Sequence, residues 1–132
     1  MSAARRRVLV VDDNPGYLDV IRTILGDADH GIDVEVAETG TAAIGLLRDR
    51  PPDALPAVVF LDFHLPDLTA PEVLRRLRAL PTLHDVRVVV MSQSEWDADR
   101  RAALDAGAQD FFAKPSRAQA LRDLLLSHLP PA

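Results

Sequence analysis

The apolar run from Val58 to Leu61 is the feature that most constrains how this chain can fold. It leads directly into Asp62, and it lies between two prolines, Pro56 and Pro66. A short, continuous apolar segment bounded in this way is typical of a strand that is buried on both faces of a sheet. In open α/β sheets, ligands bind at the carboxyl ends of the strands. Asp62 is therefore predicted to lie at a ligand-binding edge.

The rest of the chain alternates between strand and helix patterns. Residues 33–37 alternate polar and apolar side chains, which predicts a half-exposed edge strand. Besides the run that ends at Asp62, the predicted strands are 8–11, 33–37, 86–91 and 110–113, and the predicted helices are 15–26, 39–49, 70–80, 94–106 and 116–128. This alternation predicts a mostly parallel sheet with helices on both faces, because parallel strands need crossover helices and these crossovers are right-handed.

Local signals mark the ends of these helices. Asn14, which is followed by a proline, predicts the cap of the first helix, and Gly26 predicts its end. Residues 69–72 and 94–97 each have the spacing of a capping box, in which a hydroxyl residue is followed three positions later by an acid. Gly107 predicts the end of the fourth helix.

The composition limits the possible functions. The 132 residues suffice for one domain, and a net charge of −5 argues against broad contact with nucleic acid or acidic lipid. No apolar run approaches the roughly 20 residues of a membrane span, and no segment resembles a signal peptide. The lack of cysteine excludes a disulfide, a thiolate nucleophile and a Cys-ligated metal. We therefore expect a cytoplasmic protein of one domain that binds neither nucleic acid nor membrane.

Polar side chains stand at the ends of four predicted strands. They are Asp12 and Asp13, Asp62, Ser92, and Lys114, which is the only lysine among 15 basic residues. Parallel strands end at one edge, where two carboxylates ~4 Å apart repel by on the order of 4 kcal/mol at an effective dielectric of about 20. A hard cation such as Mg²⁺ removes that repulsion. The set predicts a site for a tetrahedral anion on an aspartate, and aspartate can act as a phosphoryl acceptor.

Each of these residues also has a plainer interpretation. The acid pair could cap the first helix, Ser92 could be a turn residue and Lys114 a loop residue. Phe111 is expected to pack in the core whether or not it has a second role. The four histidines show no metal-ligand spacing, which argues against a transition-metal site. The occurrence of all these polar groups at strand ends favours the functional interpretation.

Taken in order, the residues at the strand ends resemble the signature of receiver domains of two-component response regulators. Asp12–Asp13, Asp62, Ser92 and Lys114–Pro115 carry the resemblance, which covers about residues 7–129. It implies a flavodoxin-like (CheY-like) doubly wound sheet of five parallel strands in the order 2-1-3-4-5, with helices on both faces. It also implies that residues 1–132 form a single receiver domain, with a core of about 7–129 and no output domain.

The resemblance implies a role for the acidic residues. Asp62 would receive a phosphoryl group from the phosphohistidine of a sensor histidine kinase. Asp13, Asp62 and the backbone carbonyl of His64 would bind Mg²⁺, and Asp12 would help directly or through water. Because such a protein transfers phosphate only to and from itself, no turnover of a separate substrate is expected.

The resemblance also implies roles for the remaining strand ends. Ser92 would hydrogen-bond the phosphoryl group and Lys114 would pair with it. Phe111 occupies the position of an aromatic switch, whose ring moves inward as Ser92 moves toward the phosphate. The chain departs from the family pattern at Ala70, near which glycine is usual, and at Gln93, where a small residue is usual.

Two weaker features concern partners. Residues 65–66 and 72–74 resemble small regulators that are paired with bacterial phytochrome kinases and are often dimeric. Apolar residues of the last helix spread over roughly twice the ~100° arc that one core face requires, which predicts a homodimer through this helix and the adjoining face. These residues are Ala118, Leu121, Leu124, Leu125, Leu126 and Leu129. A downstream protein target or phosphotransfer protein is also expected.

Three other functions remain as alternatives. A phosphatase of the haloacid dehalogenase type also uses an aspartate nucleophile, but it needs a second aspartate where His64 stands. A pseudo-receiver that acts without phosphate would keep the fold, yet all the acids are present here. A flavin carrier would need aromatic residues in the loops after the strands, and these loops offer mainly Trp96.

Overall fold

Five parallel strands form one sheet in the order β2-β1-β3-β4-β5, which confirms the predicted architecture. The computed structural model describes residues 6–28, 31–94 and 96–130. The strands are β1 (Arg6–Val11), β2 (Ile32–Ala37), β3 (Val58–Asp62), β4 (Val88–Ser92) and β5 (Asp110–Ala113). The alternating segment β2 lies at one edge of the sheet, as its polar and apolar pattern predicts.

Five α-helices connect and follow the strands. They are α1 (Pro15–Ala28), α2 (Gly40–Arg48), α3 (Ala70–Arg78), α4 (Asp97–Asp105) and α5 (Ala118–Ser127), and two short 3₁₀ turns lie at Pro52–Ala54 and Pro81–Leu83. Helices α2, α3 and α4 cover one face of the sheet, and α1 and α5 cover the other. None of the helices in the described ranges has the length and apolar character needed to cross a membrane.

The central strand β3 contributes to both layers of the core. Val59 and Leu61 pack with the residues of α2, α3 and α4, whereas Val58 and Phe60 pack with those of α1 and α5. All five residues of the strand are buried. This is why the segment reads as an unbroken apolar run: successive side chains point to opposite faces, and helices cover both.

The register of the sheet brings the strand ends to one edge. Asp62 at the end of β3 pairs with Met91, and Ser92 at the end of β4 pairs with Ala113. The N–H of Lys114, directly after β5, donates to the carbonyl oxygen of Ser92 at 2.7 Å. Residues 21 to 29 positions apart in the chain therefore meet because parallel strands end together.

The first helix extends further than the sequence predicts. It continues two residues past Gly26 and ends at Ala28. A side chain at position 26 would meet nothing within 4 Å, so this glycine lies on an open helical surface. Its intrinsic cost in a helix is only about 1 kcal/mol, which the packing of the buried residues of α1 outweighs.

The fourth helix begins later than predicted, so Ser94 is not its cap. Trp96 is the N-cap residue, and its carbonyl oxygen accepts from the N–H of Asp99 at 3.1 Å. The Ser94 hydroxyl instead accepts from the N–H of Trp96 at 3.2 Å. The oxygen predicted to cap the helix therefore stabilises a turn before it. Glu95 lies outside the described residues. By contrast, the capping box at 69–72 is confirmed, since Glu72 accepts from the N–H of Thr69 at 3.2 Å.

The last helix buries more of its apolar surface than its pattern indicates. Leu121 and Leu125 are buried, and Leu124, Leu126 and Leu129 are half-buried and pack against the same core layer. The extra width of the apolar arc is used within the chain, because α5 lies beside α1 and its end covers the aromatic residues of that layer.

Gly107 provides a test of how the chain leaves α4. Its φ of +111° lies where residues with a side chain are strained, and a Cβ there would lie 3.1 Å from Nε of Arg78. We expect Gly107→Ala to lower the free energy of unfolding by about 1–2 kcal/mol. Gly45→Ala is the control, since nothing lies within 4 Å of a Cβ at this helical position and the substitution should stabilise by about 0.5–1 kcal/mol. Urea denaturation measures the free energy of unfolding of both variants. Equal effects of the two substitutions would contradict a backbone conformation at Gly107 that requires glycine.

Candidate functional site

A cleft of about 900 Å³ opens at the carboxyl edge of the sheet. It contains every residue that the sequence predicts for the site except Phe111, which lies in the adjacent core. The cleft is lined by Asp12, Asp13, Asn14, Pro15, Tyr17, Asp62, His64, Ser92, Gln93, Ser94, Lys114 and Pro115. The loops after β1, β3, β4 and β5 all contribute, so the cleft depends on the parallel register described above.

Three carboxylates form the floor of this cleft. Asp12 and Asp62 are only 1% and 7% exposed, whereas Asp13 is exposed. One carboxylate oxygen from each of the three lies within 4.8 Å of the others. Oxygen atoms at this spacing fit a hard divalent cation, which takes carboxylate and water ligands and removes the repulsion among the acids.

A single ammonium group lies among these acids. Nζ of Lys114 is 2.7 Å from Oδ2 of Asp12 and 3.3 Å from Oδ1 of Asp62. The lysine side chain is largely buried, so solvent screens these contacts weakly. Three carboxylates face one ammonium, so within this cluster negative charge remains in excess.

The environment of Asp62 disfavours its charged form. Burial is the main reason that its pKa rises from 3.8 to about 6; the ammonium of Lys114 opposes the shift, and the charge of Asp12 adds to it. Asp62 therefore stays ionised at neutral pH at an energetic cost. A cation or an added ligand that neutralises this edge would lower that cost.

The switch residues predicted from the sequence lie in two different places. Ser92 is buried beside the cleft, and its hydroxyl oxygen accepts from the N–H of Ser94 at 3.2 Å. Phe111 is buried in the layer beneath α2, α3 and α4. A separate cavity of about 180 Å³ lies next to this ring, and Asp97 and Arg100 at the start of α4 also line it.

The side chain of His64 contacts Phe63 and Asp99. Its ring packs edge-on against Phe63 with a centroid distance of 4.7 Å, and its Nε2 lies 3.6 Å from Oδ2 of Asp99 on α4. Gln93 is exposed at the rim of the cleft. Both long side chains therefore line the cleft and are exposed to solvent.

Tyr17 also lines the cleft, although the sequence analysis gave it no role in the site. The Nζ atom of Lys114 lies 4.5 Å from the centroid of the Tyr17 ring. The phenol oxygen is buried, and among the described residues it has no hydrogen-bond partner. Burial and then the charges of Asp12 and Asp62 raise the pKa of the phenol, so it stays protonated. An aromatic residue one turn after the acid pair is the signal that could have identified it.

Asp67 is a second residue that the sequence analysis missed. Its carboxylate accepts from the N–H groups of Gly40 and Thr41 at 2.9 Å each, and from the hydroxyl of Thr41 at 2.6 Å. These bonds, chiefly the one from the Thr41 hydroxyl, lower the pKa of Asp67 to about 2. They tie the loop after Asp62 to the start of α2, where a carboxylate is favoured by the unpaired N–H groups and the helix dipole.

Comparisons with known proteins identify a family for most of the chain. The response regulator receiver domain family matches residues 8–126. The chain is 38% identical to response regulator MprA of Mycobacterium sp. (strain KMS) over 119 residues, which are 90% of this chain and 47% of that protein. It is 40% identical to transcriptional regulatory protein KdpE of Mycobacterium tuberculosis over 108 residues, 82% of this chain and 44% of that protein. The chain thus spans about half the length of these relatives.

Solved structures with the same fold include several regulators. The phosphorylated cyanobacterial phytochrome response regulator RcpA has a TM-score of 0.82 and 25% identity, covering 94% of this chain and 91% of that one. The receiver domain of sensor histidine kinase PA1611 from Pseudomonas aeruginosa, which has a magnesium ion in its active-site cleft, has a TM-score of 0.77 and 26% identity, covering 94% and 97%. Chemotaxis response regulator CheY4 of Vibrio cholerae, at 22% identity and a TM-score of 0.81, shares the fold and covers 95% and 99%.

The raised pKa of Asp62 predicts how stability depends on pH. Between pH 3.8 and about 6 the folded state binds more protons at this residue than the unfolded state does. The stability that Asp62 contributes is therefore full below pH 3.8 and is lost as the pH rises through about 6. Without divalent metal, Asp62→Asn should gain about 2 kcal/mol relative to wild type between about pH 4 and about pH 8.

Denaturant titrations of both proteins at these two pH values measure the effect. The control is Asp53→Asn, which removes an exposed carboxylate outside the cleft and should not reproduce the gain of Asp62→Asn. A difference in the free energy of unfolding between Asp62→Asn and wild type that is the same at both pH values would contradict a raised pKa for Asp62.

Proposed function

The chain belongs to the response regulator receiver domain family, and from this premise we propose that Asp62 is its phosphoacceptor in a two-component relay. The observation that carries the proposal is the placement of Asp62 in the cleft. It is a nearly buried carboxylate, with an ammonium 3.3 Å away and two further acids beside it. The receiver family is a signalling family. In this family the proposed role of the chain is to accept a phosphoryl group, to retain it and to change its own contacts with partner proteins.

The proposed chemistry is a transfer from a phosphohistidine to Asp62. A carboxylate oxygen of Asp62 forms a bond to phosphorus as the P–N bond of the donor breaks, and the departing imidazole keeps the electron pair and takes a proton from solvent. Lys114 neutralises charge on the oxygens that surround phosphorus, and Ser92 donates a hydrogen bond to one of them. Such transfers are catalysed mainly by positioning and charge neutralisation, which is what this site offers.

Mg²⁺ is the cofactor that the acid cluster fits. We propose that Asp13, Asp62 and the backbone carbonyl of His64 would hold it, with Asp12 as a direct or water-mediated ligand. When bound, the ion supplies charge neutralisation at the phosphoryl oxygens. The mutual spacing of the three carboxylates supports this, as does the magnesium ion in the cleft of the PA1611 receiver domain.

The response to phosphorylation is proposed to run from Ser92 to Phe111. Ser92 exchanges its bond from the N–H of Ser94 for one to the phosphoryl group, and this movement draws the loop before α4 inward. The Phe111 ring, which lies beside the cavity at the start of α4, then moves inward in its core layer. We expect this switch to change only a few local contacts, as is usual for transitions of this kind.

The proposed partners are a sensor histidine kinase and a downstream protein target or phosphotransfer protein. A bacterial phytochrome is the specific kinase class that the likeness to RcpA supports, at 25% identity over 94% of the chain. We expect the exchange to take place in the cytoplasm and to turn over no substrate besides the phosphoryl donor.

Chemical phosphorylation tests the acceptor directly. Incubation with acetyl phosphate and Mg²⁺ should add the mass of one phosphoryl group to the intact protein, and peptide mapping should place it on Asp62. Asp62→Asn should abolish the mass gain, because an amide cannot attack phosphorus, whereas Asp53→Asn should label like wild type. Chelation of the metal should also prevent labelling.

Other outcomes of this experiment point to other functions. Steady release of phosphate from phosphate monoesters, lost in Asp62→Asn, would contradict the acceptor role and support a phosphatase. A folded protein that never becomes labelled under any of these conditions would support a pseudo-receiver. Labelling at another residue would overturn the assignment of Asp62.

A homodimer through α5 and its adjoining face is the last element of the proposal. The exposed apolar surface of this helix is smaller than the sequence pattern implies, since Leu121 and Leu125 are buried and Leu124, Leu126 and Leu129 are exposed only in part. Leu126→Gln should raise the dimer dissociation constant by roughly tenfold, as expected for an apolar residue at the centre of a small interface. Sedimentation velocity with and without fluoroberyllate measures it, and Leu46→Gln on α2 is the control. A monomer at all concentrations in both states would rule the homodimer out.

A further inference from the structure

We propose that Tyr17 is a positioning residue for Lys114, and that its aromatic face holds the ammonium where the phosphoryl group of Asp62 will need it. The inference rests on the proposed function and adds a residue to that site. It starts from the contact between Nζ of Lys114 and the Tyr17 ring, at 4.5 Å from the ring centroid. Together with Asp12 and Asp62, the ring encloses the ammonium on a third side.

A closed circuit of contacts fixes the ring in place. The N–H of Asn14 donates to Oδ1 of Asp12 at 2.9 Å, and Oδ1 of Asn14 accepts from the N–H of Tyr17 at 3.2 Å. The Tyr17 ring contacts Lys114, and Lys114 donates to Oδ2 of Asp12 at 2.7 Å. The acid that binds the ammonium therefore also sets, through the helix cap, the position of the ring that covers it.

The ring helps to hold the ammonium of Lys114 near Asp62. Its ammonium lies closer to Asp12 than to Asp62, and in a transfer it must neutralise charge that develops beyond Asp62. A neutral aromatic face attracts the ammonium without competing as an anion, and this attraction is strongest where solvent is excluded. It also restrains a side chain with four rotatable bonds, whose ordering would otherwise weaken anion binding.

The hydroxyl of Tyr17 is separable from the role of its ring. The phenol oxygen is buried, and no group in the described part of the chain pairs with it. A buried hydroxyl without a partner destabilises a folded protein, so its removal should not weaken the site. Phenylalanine keeps the aromatic face and removes this oxygen, and methionine keeps a similar apolar volume and removes the face.

Binding of fluoroberyllate at saturating Mg²⁺ tests the proposal. The single tryptophan, Trp96, is 72% exposed and follows the loop after Ser92, so its fluorescence can report the binding. Tyr17→Met should raise the dissociation constant by roughly tenfold, and Tyr17→Phe should restore it to near the wild-type value. Val20→Ala, at an exposed position of the same helix, is the control for a general effect on α1.

A double-mutant cycle separates positioning from packing. In a Lys114→Met background, Tyr17→Met should add less than about a twofold further loss, because the ring no longer has an ammonium to hold. Equal affinities of Tyr17→Met and wild type would overturn the inference, and so would a tenfold loss that persists without Lys114. If Tyr17→Met does not fold, Tyr17→Leu takes its place with the same expected pattern.

The same titration distinguishes this inference from the proposed function. If wild type binds fluoroberyllate with Mg²⁺ and the Tyr17 variants bind equally well, only the role of Tyr17 fails. If wild type itself binds no fluoroberyllate while its melting temperature shows that it is folded, the phosphoacceptor function fails, and the role of Tyr17 fails with it.

Discussion

The contact of one ammonium with two buried carboxylates is the interaction on which this site depends. Lys114 lies between Asp12, which directly follows β1, and Asp62, the last residue of β3, and its N–H bond to Ser92 fixes it to β4. Three strands are therefore joined at their ends by one side chain and its backbone. Because the acids outnumber the ammonium, the same contact leaves an excess of negative charge, which favours a bound cation. The charge of Asp12 also adds to burial, which is the main reason that Asp62 is costly to ionise.

The fold and the site could be predicted from the sequence for one physical reason. Strands buried on both faces produce unbroken apolar runs, and the first polar residue after such a run must leave the sheet at its edge. That rule alone locates Asp12, Asp62, Ser92 and Lys114 without any knowledge of their distances. The order of the strands came from a family likeness, since the residue pattern specifies a parallel sheet but not which strand lies next to which.

The features that could not be predicted depend on contacts between separate elements. Asp67 binds the start of α2 through a loop conformation that no spacing along the chain specifies. The position of Tyr17 one turn after the acid pair indicates its place in the cleft, but its contact with Lys114, which follows a different strand, does not follow from that spacing. The packing of the last helix could not be predicted for the same reason. Its wide apolar arc predicts a free surface, yet Leu126 and Leu129 are partly buried and pack against the core layer that α1 and α5 share.

The packing of the helices indicates which element the proposed switch would move. Helix α3 buries five residues against the sheet, whereas α4 buries only Ala103. Asp67 fixes the loop before α3 to α2, and the loop before α4 is held by a 3.2 Å bond from the N–H of Ser94 to the very hydroxyl that phosphate would recruit. The loop before α3 is therefore held more firmly than the loop before α4, and both loops lie near Asp62. Since an element with few buried contacts rearranges at the lowest cost, the displacement should pass to α4.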